Sequence, residues 1–225
     1  MNRLRKLVKY GQSYWMDDLS RDILRNGDLG RQIRDRELRG ITSNPAIFGQ
    51  AIGGSAAYDE QIGAGARAGR TAAQIYEDLT CQDIRDACDT LLPVFKATGG
   101  EDGFVSLEVS PLLARDTEGS ITEGAHLAKL VNRPNLMIKI PGTVEGVPAI
   151  EELLFRGVVQ TRLDQAFGCP WRVFGTGLGW GWIVASLLFG VAHLLSPVAP
   201  GHGGWALWTT VAGLLFGYIR AKGGS

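Results

Sequence analysis

Charge is distributed unevenly along this chain, and that unevenness constrains its fold more than any other feature. Residues 173–219 contain no Asp, Glu, Lys or Arg, whereas almost every earlier stretch of twenty residues is well charged. Five of the six tryptophans lie in or beside this uncharged region: Trp171, Trp180, Trp182, Trp205 and Trp208. We therefore expect two unlike domains, residues 1–150 and residues 151–225.

The overall charge balance excludes one broad class of function. Lys plus Arg and Asp plus Glu both number 23, whereas general nucleic-acid binders usually carry a basic excess. Cys81 and Cys88 have the spacing of one helix face and Cys169 stands apart, so reduced thiols are expected rather than metal ligands. The basic amino-terminal residues lack an apolar core of signal-peptide length, so no secretory signal is expected.

Four short apolar runs in the first part are predicted to be buried strands, at residues 14–18, 40–44, 104–109 and 136–140. Helical patterns separate them, and the clearest occupies residues 75–95, where apolar residues recur on one broad face. Strands that alternate with helices indicate parallel pairing through right-handed crossovers. Both an open doubly wound sheet and a (β/α) barrel fit this α/β pattern.

Each predicted strand has one face that carries polar side chains near its carboxyl end, because side chains alternate across a strand. The residues on these faces are Trp15 and Asp17, Thr42 and Asn44, Ser106 and Glu108, and Met137 and Lys139. In (β/α) barrels the carboxyl ends of the strands hold the active site. The pattern therefore favours a barrel with a catalytic mouth, and a set of buried salt bridges is the alternative.

Lys139 lies within an otherwise apolar predicted strand, so its amine must be either desolvated or paired. Desolvation lowers the pKa of an amine and frees its lone pair. Such an amine can attack a ketone to form a Schiff base, which acts as an electron sink for carbon–carbon cleavage. Asp17 and Glu108 could move the protons that this reaction requires, directly or through a water molecule.

Four segments, in this order, resemble the transaldolase family: WMDDLSRD, GITSNPAIF, FVSLEVSPLLARDT and NLMIKIPGTVEGVPAIEEL. The resemblance covers about residues 8–153 and implies the first half, four strands, of a (β/α)8 TIM barrel. It implies Lys139 as the Schiff-base lysine and Asp17 and Glu108 as the proton-transfer residues. It also implies three residues that line the substrate site: Thr42, Asn44 and Ser106.

The transaldolase resemblance further implies a reaction and its requirements. A dihydroxyacetone unit would move between sugar phosphates, as in the pentose phosphate pathway, without a metal or an organic cofactor. The family's fifth strand should follow residues 148–153, but the sequence there reads VVQTRLDQAFGCPW. We therefore expect strands five to eight to be missing and the activity to be lost.

A piece of four strands would leave two unpaired edges and a half-open interior. Such a piece is expected either to be poorly soluble or to associate with another copy of itself.

The second part contains two candidate membrane spans. Residues 175–195 are long and apolar enough to cross a bilayer, and residues 205–219 are a shorter, marginal candidate. Four basic residues would then fall on one side: Arg162, Arg172, Arg220 and Lys222. The positive-inside rule predicts a membrane-associated chain with its amino-terminal part in the cytoplasm. A buried hydrophobic hairpin in a soluble domain is the alternative.

Two segments, EELLFRG and FGVAH, resemble the EExxxR and FxxxH signatures of the CAAX-processing and bacteriocin-processing (CPBP) intramembrane proteases. The resemblance implies Glu151 as the glutamate that activates water, with Glu152 and Arg156 in supporting roles. It implies His193, which shares a helix face with Phe189, as part of the site that polarises the scissile carbonyl.

The CPBP resemblance covers about residues 149–222 and is expected to be truncated at both ends. The two resemblances overlap in a few residues, where one set of apolar residues keeps helical spacing: Val147, Ile150, Leu154 and Val158. A single helix is therefore expected to continue through the join. A chimera of two partial enzymes with neither activity is the third functional hypothesis.

Overall fold

The computed structural model of the chain describes residues 4–194 and 203–223. Contacts divide the chain into two compact units, each of which is described by itself. Unit 1 comprises residues 1–114 and 126–141, and unit 2 comprises residues 115–125 and 142–225.

Unit 1 is built on a parallel four-stranded sheet whose spatial order, β1-β2-β3-β4, is also the order of the strands in the chain. The strands are Tyr14–Met16 (β1), Leu38–Ile41 (β2), Phe104–Glu108 (β3) and Leu136–Lys139 (β4). Consecutive parallel strands joined through helices are the repeating arrangement of a (β/α) barrel. The α/β prediction is confirmed, and the sheet is consistent with part of a TIM barrel.

The first two predicted strands extend too far at their carboxyl ends. Because β1 and β2 end early, Asp17, Thr42 and Asn44 lie in the loops that follow them. Asn44 begins a helix instead of ending a strand: its side chain accepts a hydrogen bond from the N–H of Ile47 at 3.0 Å, and Pro45 is the first helical residue.

The α-helices of unit 1 connect the strands and cover one face of the sheet. They are Arg21–Arg25 (α1), Asp28–Arg36 (α2), Pro45–Gly54 (α3), Asp59–Arg67 (α4), Ala72–Ala97 (α5) and Thr117–Val131 (α6), the last of which starts in unit 2. Short 3₁₀ helices occupy Leu4–Tyr10, Ala56–Tyr58 and Pro111–Leu113. The longest helix, α5, begins at a capping box formed by Thr71 and Gln74.

The core of unit 1 joins the apolar face of the sheet to these helices. Large buried side chains from strands and helices form it, including Leu19, Leu29, Ile41, Phe48, Ile84, Leu91, Val105 and Leu107. Cys81 and Cys88, on the predicted face of α5, belong to the same cluster. Burial raises the pKa of Cys81 to about 11 and that of Cys88 to about 12, so both are protonated thiols at neutral pH.

A buried ionic network ties the start of α1 to α5. The Arg21 guanidinium donates to Asp83 at 2.9 Å and lies 4.4 Å above the ring of Tyr58. The Tyr58 hydroxyl donates to the other Asp83 oxygen at 2.8 Å and accepts from the backbone N–H of Arg21 at 2.8 Å. This network fixes the helix that follows the loop carrying Asp17.

The described part of unit 2 is mainly helical and contains a small hairpin. Its elements are Gly146–Glu152 (α7), a π-helix at Leu153–Gln160, Thr161–Phe167 (α8), the antiparallel strands Trp171–Val173 (β5) and Thr176–Leu178 (β6), Trp180–Leu194 (α9) and Gly203–Gly223 (α10). Helical backbone therefore continues through the predicted join. The four apolar residues spaced along it are about half exposed: Val147, Ile150, Leu154 and Val158.

Residues 175–194 do not form one helix, which corrects the prediction for this segment; residue 195 lies outside the described residues. Phe174 and Gly175 have φ values of 46° and 83°, as the tight turn between β5 and β6 requires. The following helix, α9, begins only at Trp180, where the Asp164 carboxylate accepts the N–H of Gly181 at 3.0 Å. Within residues 4–194 and 203–223, no helix combines the length and the apolarity needed to cross a membrane.

Helices α9 and α10 pack through small residues. The described residues that are buried in α9 are Gly181, Ala185, Ser186 and Gly190, and those buried in α10 are Ala206, Thr209, Gly213 and Gly217. A side chain added at Gly190 would collide with Thr210, and one added at Gly217 would lie 2.6 Å from the Trp182 ring. Glycine at these positions therefore permits the close approach of the two helices.

Candidate functional site

Lys139 and Glu108 face each other at the carboxyl ends of β4 and β3, where the strand register pairs them directly. The Lys139 Nζ atom lies 3.0 Å from Glu108 Oε2. It also donates to the backbone carbonyl of Ser43 at 3.0 Å and approaches Thr42 Oγ1 at 3.5 Å. The Lys139 side chain remains 41% exposed, so the amine is paired rather than desolvated.

Hydroxyl groups connect the loop after β2 to β3 beside this ion pair. Ser106 Oγ donates to Thr42 Oγ1 at 2.9 Å, and Ser43 Oγ donates to the carbonyl of Ser106 at 2.7 Å. Both serines are buried, so these bonds hold the loop in one position. Together they fix the two oxygen atoms of the loop that the Lys139 amine approaches.

Ser43 is the site residue that the sequence reasoning missed. Alternation along a strand at residues 40–44 would place its side chain on the face opposite Thr42 and Asn44. Because β2 ends at Ile41, alternation no longer applies at Ser43. Only the position of Ser43 between two residues already assigned to the site could have signalled its role.

Two other predicted site residues stand apart from the lysine. Asp17 follows β1, is exposed, and makes no hydrogen bond or ion pair with another residue that the structure describes. The Asn44 side chain caps α3 through the N–H of Ile47. The structure therefore brings together Lys139, Glu108, Thr42 and Ser106, whereas neither Asp17 nor Asn44 forms a hydrogen bond or ion pair with the amine.

This arrangement suits one kind of chemistry. A carboxylate within hydrogen-bond distance of an amine can accept the ammonium proton and later return it to an oxygen on the reacting carbon. The amine so released can form a covalent bond to a carbonyl carbon. No group of three His, Cys, Asp or Glu side chains in the described part of the chain is arranged to hold a metal ion.

A family model described as transaldolase/fructose-6-phosphate aldolase matches residues 14–161, which is more than half of the chain. The chain belongs to the transaldolase/fructose-6-phosphate aldolase family. Its Lys139–Glu108 pair lies within the matched residues, so the lysine site is part of the transaldolase-family segment. The resemblance predicted from the four sequence segments is confirmed.

Curated transaldolases from several bacteria are similar to the first part of the chain. The transaldolase of Trichodesmium erythraeum is 49% identical over 157 residues, which is 70% of this chain and 41% of the relative. Transaldolase 2 of Nostoc punctiforme is 50% identical over 157 residues, 70% of this chain and 41% of the relative. The Acidothermus cellulolyticus transaldolase is 52% identical over 155 residues, 69% of this chain and 42% of the relative. The chain thus spans about two fifths of the length of these relatives.

A second family model, described as type II CAAX prenyl endopeptidase Rce1-like, matches residues 133–225. The predicted resemblance to CAAX-processing proteases is thereby confirmed. Residues 133–161 fall within both matches. The domain boundary expected at residue 150 lies inside this shared segment and stays a prediction.

The residues singled out in the second family segment lie in unit 2. His193 Nε2 on α9 is 3.7 Å from Glu151 Oε2 on α7. His193 Nδ1 lies 2.8 Å from the carbonyl oxygen of Phe189; because a carbonyl only accepts, Nδ1 carries a proton. Phe189 also packs edge-to-face against Phe155 at 5.3 Å between ring centroids.

The supporting residues of this second site are less well defined. Glu152 is the last residue of α7, and Arg156 lies in the π-helix. The Arg156 side chain lies outside the part of the chain that the structure describes. The structure therefore places Glu151, Phe189 and His193 together, and the roles of Glu152 and Arg156 stay predictions.

Proposed function

We propose that unit 1 carries a transaldolase-type Schiff-base site in which Lys139 is the nucleophile. The observation that carries this proposal is the 3.0 Å contact between Lys139 Nζ and Glu108 Oε2 at the carboxyl ends of neighbouring parallel strands. Family membership and the similarity to bacterial transaldolases support the same reaction class. The proposed substrate class is a ketose phosphate, and the proposed reaction is transfer of its dihydroxyacetone unit to an aldose phosphate.

The proposed steps use groups that the structure brings together. Glu108 accepts a proton from the Lys139 ammonium, and the free amine adds to the ketone carbon to give a carbinolamine. Glu108 then protonates the carbinolamine oxygen, which leaves as water and generates a protonated Schiff base. That cation accepts the electron pair released when the bond between the first and second carbons beyond it breaks, as the hydroxyl on the second carbon gives its proton to a carboxylate. Asp17 is the proposed second proton-transfer residue.

Formation of the covalent adduct and complete transfer have different requirements. The adduct needs an amine, groups that move its protons and a bound ketone; β4 supplies Lys139, β3 supplies Glu108, and the loop after β1 supplies Asp17. Complete transfer also requires a site that holds the acceptor aldose against the Schiff base. We therefore propose adduct formation with little or no transfer activity.

Borohydride trapping tests this proposal. Incubating the full chain with fructose 6-phosphate and borohydride should give a reduced adduct that peptide mass spectrometry assigns to Lys139. Lys139→Arg keeps a cation beside Glu108 but cannot form an imine, so it should lose the adduct. Lys129→Arg changes an exposed lysine on α6 and is the matched control. Absence of any wild-type adduct at millimolar substrate would remove the proposal.

A second candidate function rests on the contact between Glu151 and His193. His193 Nε2 lies 3.7 Å from the Glu151 carboxylate, and its Nδ1 lies 2.8 Å from the Phe189 carbonyl oxygen, which orients the ring. A water molecule that contacts both Glu151 and His193 would lie against a carboxylate that can accept its proton, as a hydrolase needs to activate water. The matching CAAX endopeptidase model supports peptide hydrolysis as the alternative reaction.

Cleavage of a fluorogenic prenylated peptide tests the alternative function. If unit 2 is hydrolytic, Glu151→Gln should abolish cleavage, whereas Lys139→Arg should leave it unchanged. A wild-type chain that does not cleave the peptide would refute the alternative and favour a chimera without protease activity.

We also propose that the chain associates with membranes through unit 2, with its amino-terminal part in the cytoplasm. Two observations support this. Among the residues of α9 and α10 whose burial the structure describes, those that are buried are all Gly, Ala, Ser or Thr, as in helices that pack within lipid. In addition, many large side chains of these helices are exposed: Leu187, Leu188, Val191, Leu207, Trp208, Val211, Leu215, Phe216 and Ile219. The chain should therefore remain with membranes during carbonate extraction, and its recovery as a soluble monomer would contradict this.

A further inference from the structure

The outer edge of β4 has no strand partner within residues 4–194 and 203–223. The Asn135 and Lys139 carbonyls accept from β3 and the segment after it, at 3.0 and 3.1 Å. Along a parallel ladder, alternate residues direct their backbone groups to opposite edges. The backbone N–H and C=O of Ile138 therefore point to the open edge, while its side chain packs against the unit 1 core.

The other outer strand, β1, is open in the same way over the described residues. The Met16 carbonyl accepts from the N–H of Thr42 at 2.9 Å, so Met16 directs its backbone towards β2. By the same alternation, the backbone of Trp15 faces away from β2. The sheet thus ends in two complementary parallel edges, each of which can extend a parallel ladder.

The face of the sheet that carries Lys139 is also incompletely covered. Met137, two residues before Lys139 on the same face, is 46% exposed, whereas Val105 and Leu107 on the other face are buried in the core. Side chains fill the interior of a parallel barrel when about eight strands close around it. Four more parallel strands would therefore cover this face.

We propose that two copies of the chain form one eight-stranded parallel barrel, in which β4 of each copy pairs with β1 of the other. A twofold axis along the barrel keeps all strands parallel and uses both open edges of both copies, so the assembly is closed at two subunits. The inference rests on the proposed function because it supplies a missing wall of the Lys139 site.

Closure would change the surroundings of Lys139. The β1 strand of the partner subunit would take the place next to β4, and carboxyl ends of parallel strands lie at the same end of a barrel. Asp17 of the partner subunit would then lie beside Lys139, opposite Glu108. Within one subunit, β1 is separated from β4 by β2 and β3, and Lys139 bonds to Glu108, Thr42 and Ser43 rather than to Asp17.

The oligomeric state of the full chain tests the pairing directly. Light scattering with size-exclusion chromatography, in the detergent used for purification, should give a dimer. Ile138→Pro removes an N–H that faces only the open edge, so it should give a monomer with unchanged circular dichroism. Ile138→Val keeps the N–H and should remain dimeric. A wild-type monomer, or a dimer that Ile138→Pro leaves intact, would overturn the proposal.

Mixed dimers provide a second test that does not depend on the folding of a proline variant. Lys139→Arg and Asp17→Asn chains with different tags are co-expressed, and the heterodimer is isolated by both tags. Its one intact lysine faces the one intact Asp17 across the new interface. Borohydride trapping should recover about half of the wild-type adduct rate, whereas Asp17→Asn alone should lose about 10²-fold, as for removal of a general acid–base group.

The outcomes separate this inference from the proposed function. A heterodimer no better than Asp17→Asn alone would overturn the shared site. A dimer sensitive to Ile138→Pro without any adduct would refute the Schiff-base function and retain the barrel. An adduct formed by a monomer would refute the two-subunit barrel and retain the Schiff-base function.

Discussion

The two units use large and small side chains in opposite ways. In unit 1, large residues such as Leu19, Ile41 and Val105 are fully buried against one another. In α9 and α10 of unit 2, small residues are buried, and large ones such as Leu207 and Trp208 are exposed by 68% and 65%. Unit 1 thus gains stability by removing large apolar surface from water. The stability of the α9–α10 pair depends instead on the close approach of the two helix backbones, while its large apolar side chains remain exposed.

The largest expected effect concerns the buried charge in unit 1. Arg21→Met leaves the buried Asp83 carboxylate without its ionic partner, and breaking a buried pair costs about 3–5 kcal/mol. Hydrogen exchange of α5 peptides in increasing urea should show this loss, while exchange in α9 and α10 should not change.

The control for Arg21→Met is Arg70→Met, which removes an ion pair with Asp78 whose side chains are both about 40% exposed. Exposed pairs contribute less than about 1 kcal/mol. Equal losses from Arg21→Met and Arg70→Met would show that the unit 1 network does not depend on burial, which would weaken the comparison with unit 2.

The next largest effect probes the small-residue packing of unit 2. Gly190→Ala places a methyl group against Thr210, and overpacking of this kind costs about 1–3 kcal/mol. Gly157→Ala is the matched control, since its added carbon would have no other heavy atom within 4 Å. The midpoint temperature of thermal unfolding, followed by tryptophan fluorescence, should be lower for Gly190→Ala and unchanged for Gly157→Ala. A Gly190→Ala chain as stable as Gly157→Ala would refute close packing of α9 on α10.

The same contrast explains what the sequence could predict. Alternation placed Glu108 and Lys139 on one face, and the register of β3 and β4 made them neighbours. Side-chain alternation made a wrong prediction at Ser43 and Asn44, because β2 ends before them and the cap of α3 takes the place of a strand. Periodicity gave the helix through the join but not its exposure, since spacing shows which residues share a face and not what covers that face.

The hairpin of unit 2 was missed for a local reason. A two-residue turn that needs positive φ at both positions usually carries Asn-Gly, whereas this one carries Phe174-Gly175. The helix cap of α9 comes from Asp164, which lies far earlier in the sequence. Neither feature interrupts the uncharged run, so residues 175–195 read as one apolar segment.

A smaller effect, opposite in sign, is expected at Phe174. This residue holds a left-handed backbone with φ of 46° and is 90% exposed, so its side chain contributes little packing in return. Phe174→Asn should raise the stability of unit 2 by about 1 kcal/mol, because Asn tolerates this conformation better. Phe167→Asn changes another exposed phenylalanine that lies in a helix, and it should bring no gain. A loss of thermal stability in Phe174→Asn would mean that the edge contact of Phe174 with Tyr218 outweighs the strain.

The smallest effect is a pH dependence in unit 1. The Arg133 guanidinium donates to both oxygens of Asp89, at 2.6 and 2.9 Å, and lowers the pKa of that carboxyl. In acid, the unfolded chain therefore binds more protons than the folded chain. The stabilisation is complete above the ordinary carboxyl pKa of about 4 and is lost as the pH falls through the lower folded-state value. Asp89→Asn should flatten the acid decrease of the urea midpoint between neutral pH and about pH 3. An unchanged slope in Asp89→Asn would show that other carboxylates control the acid sensitivity of this unit.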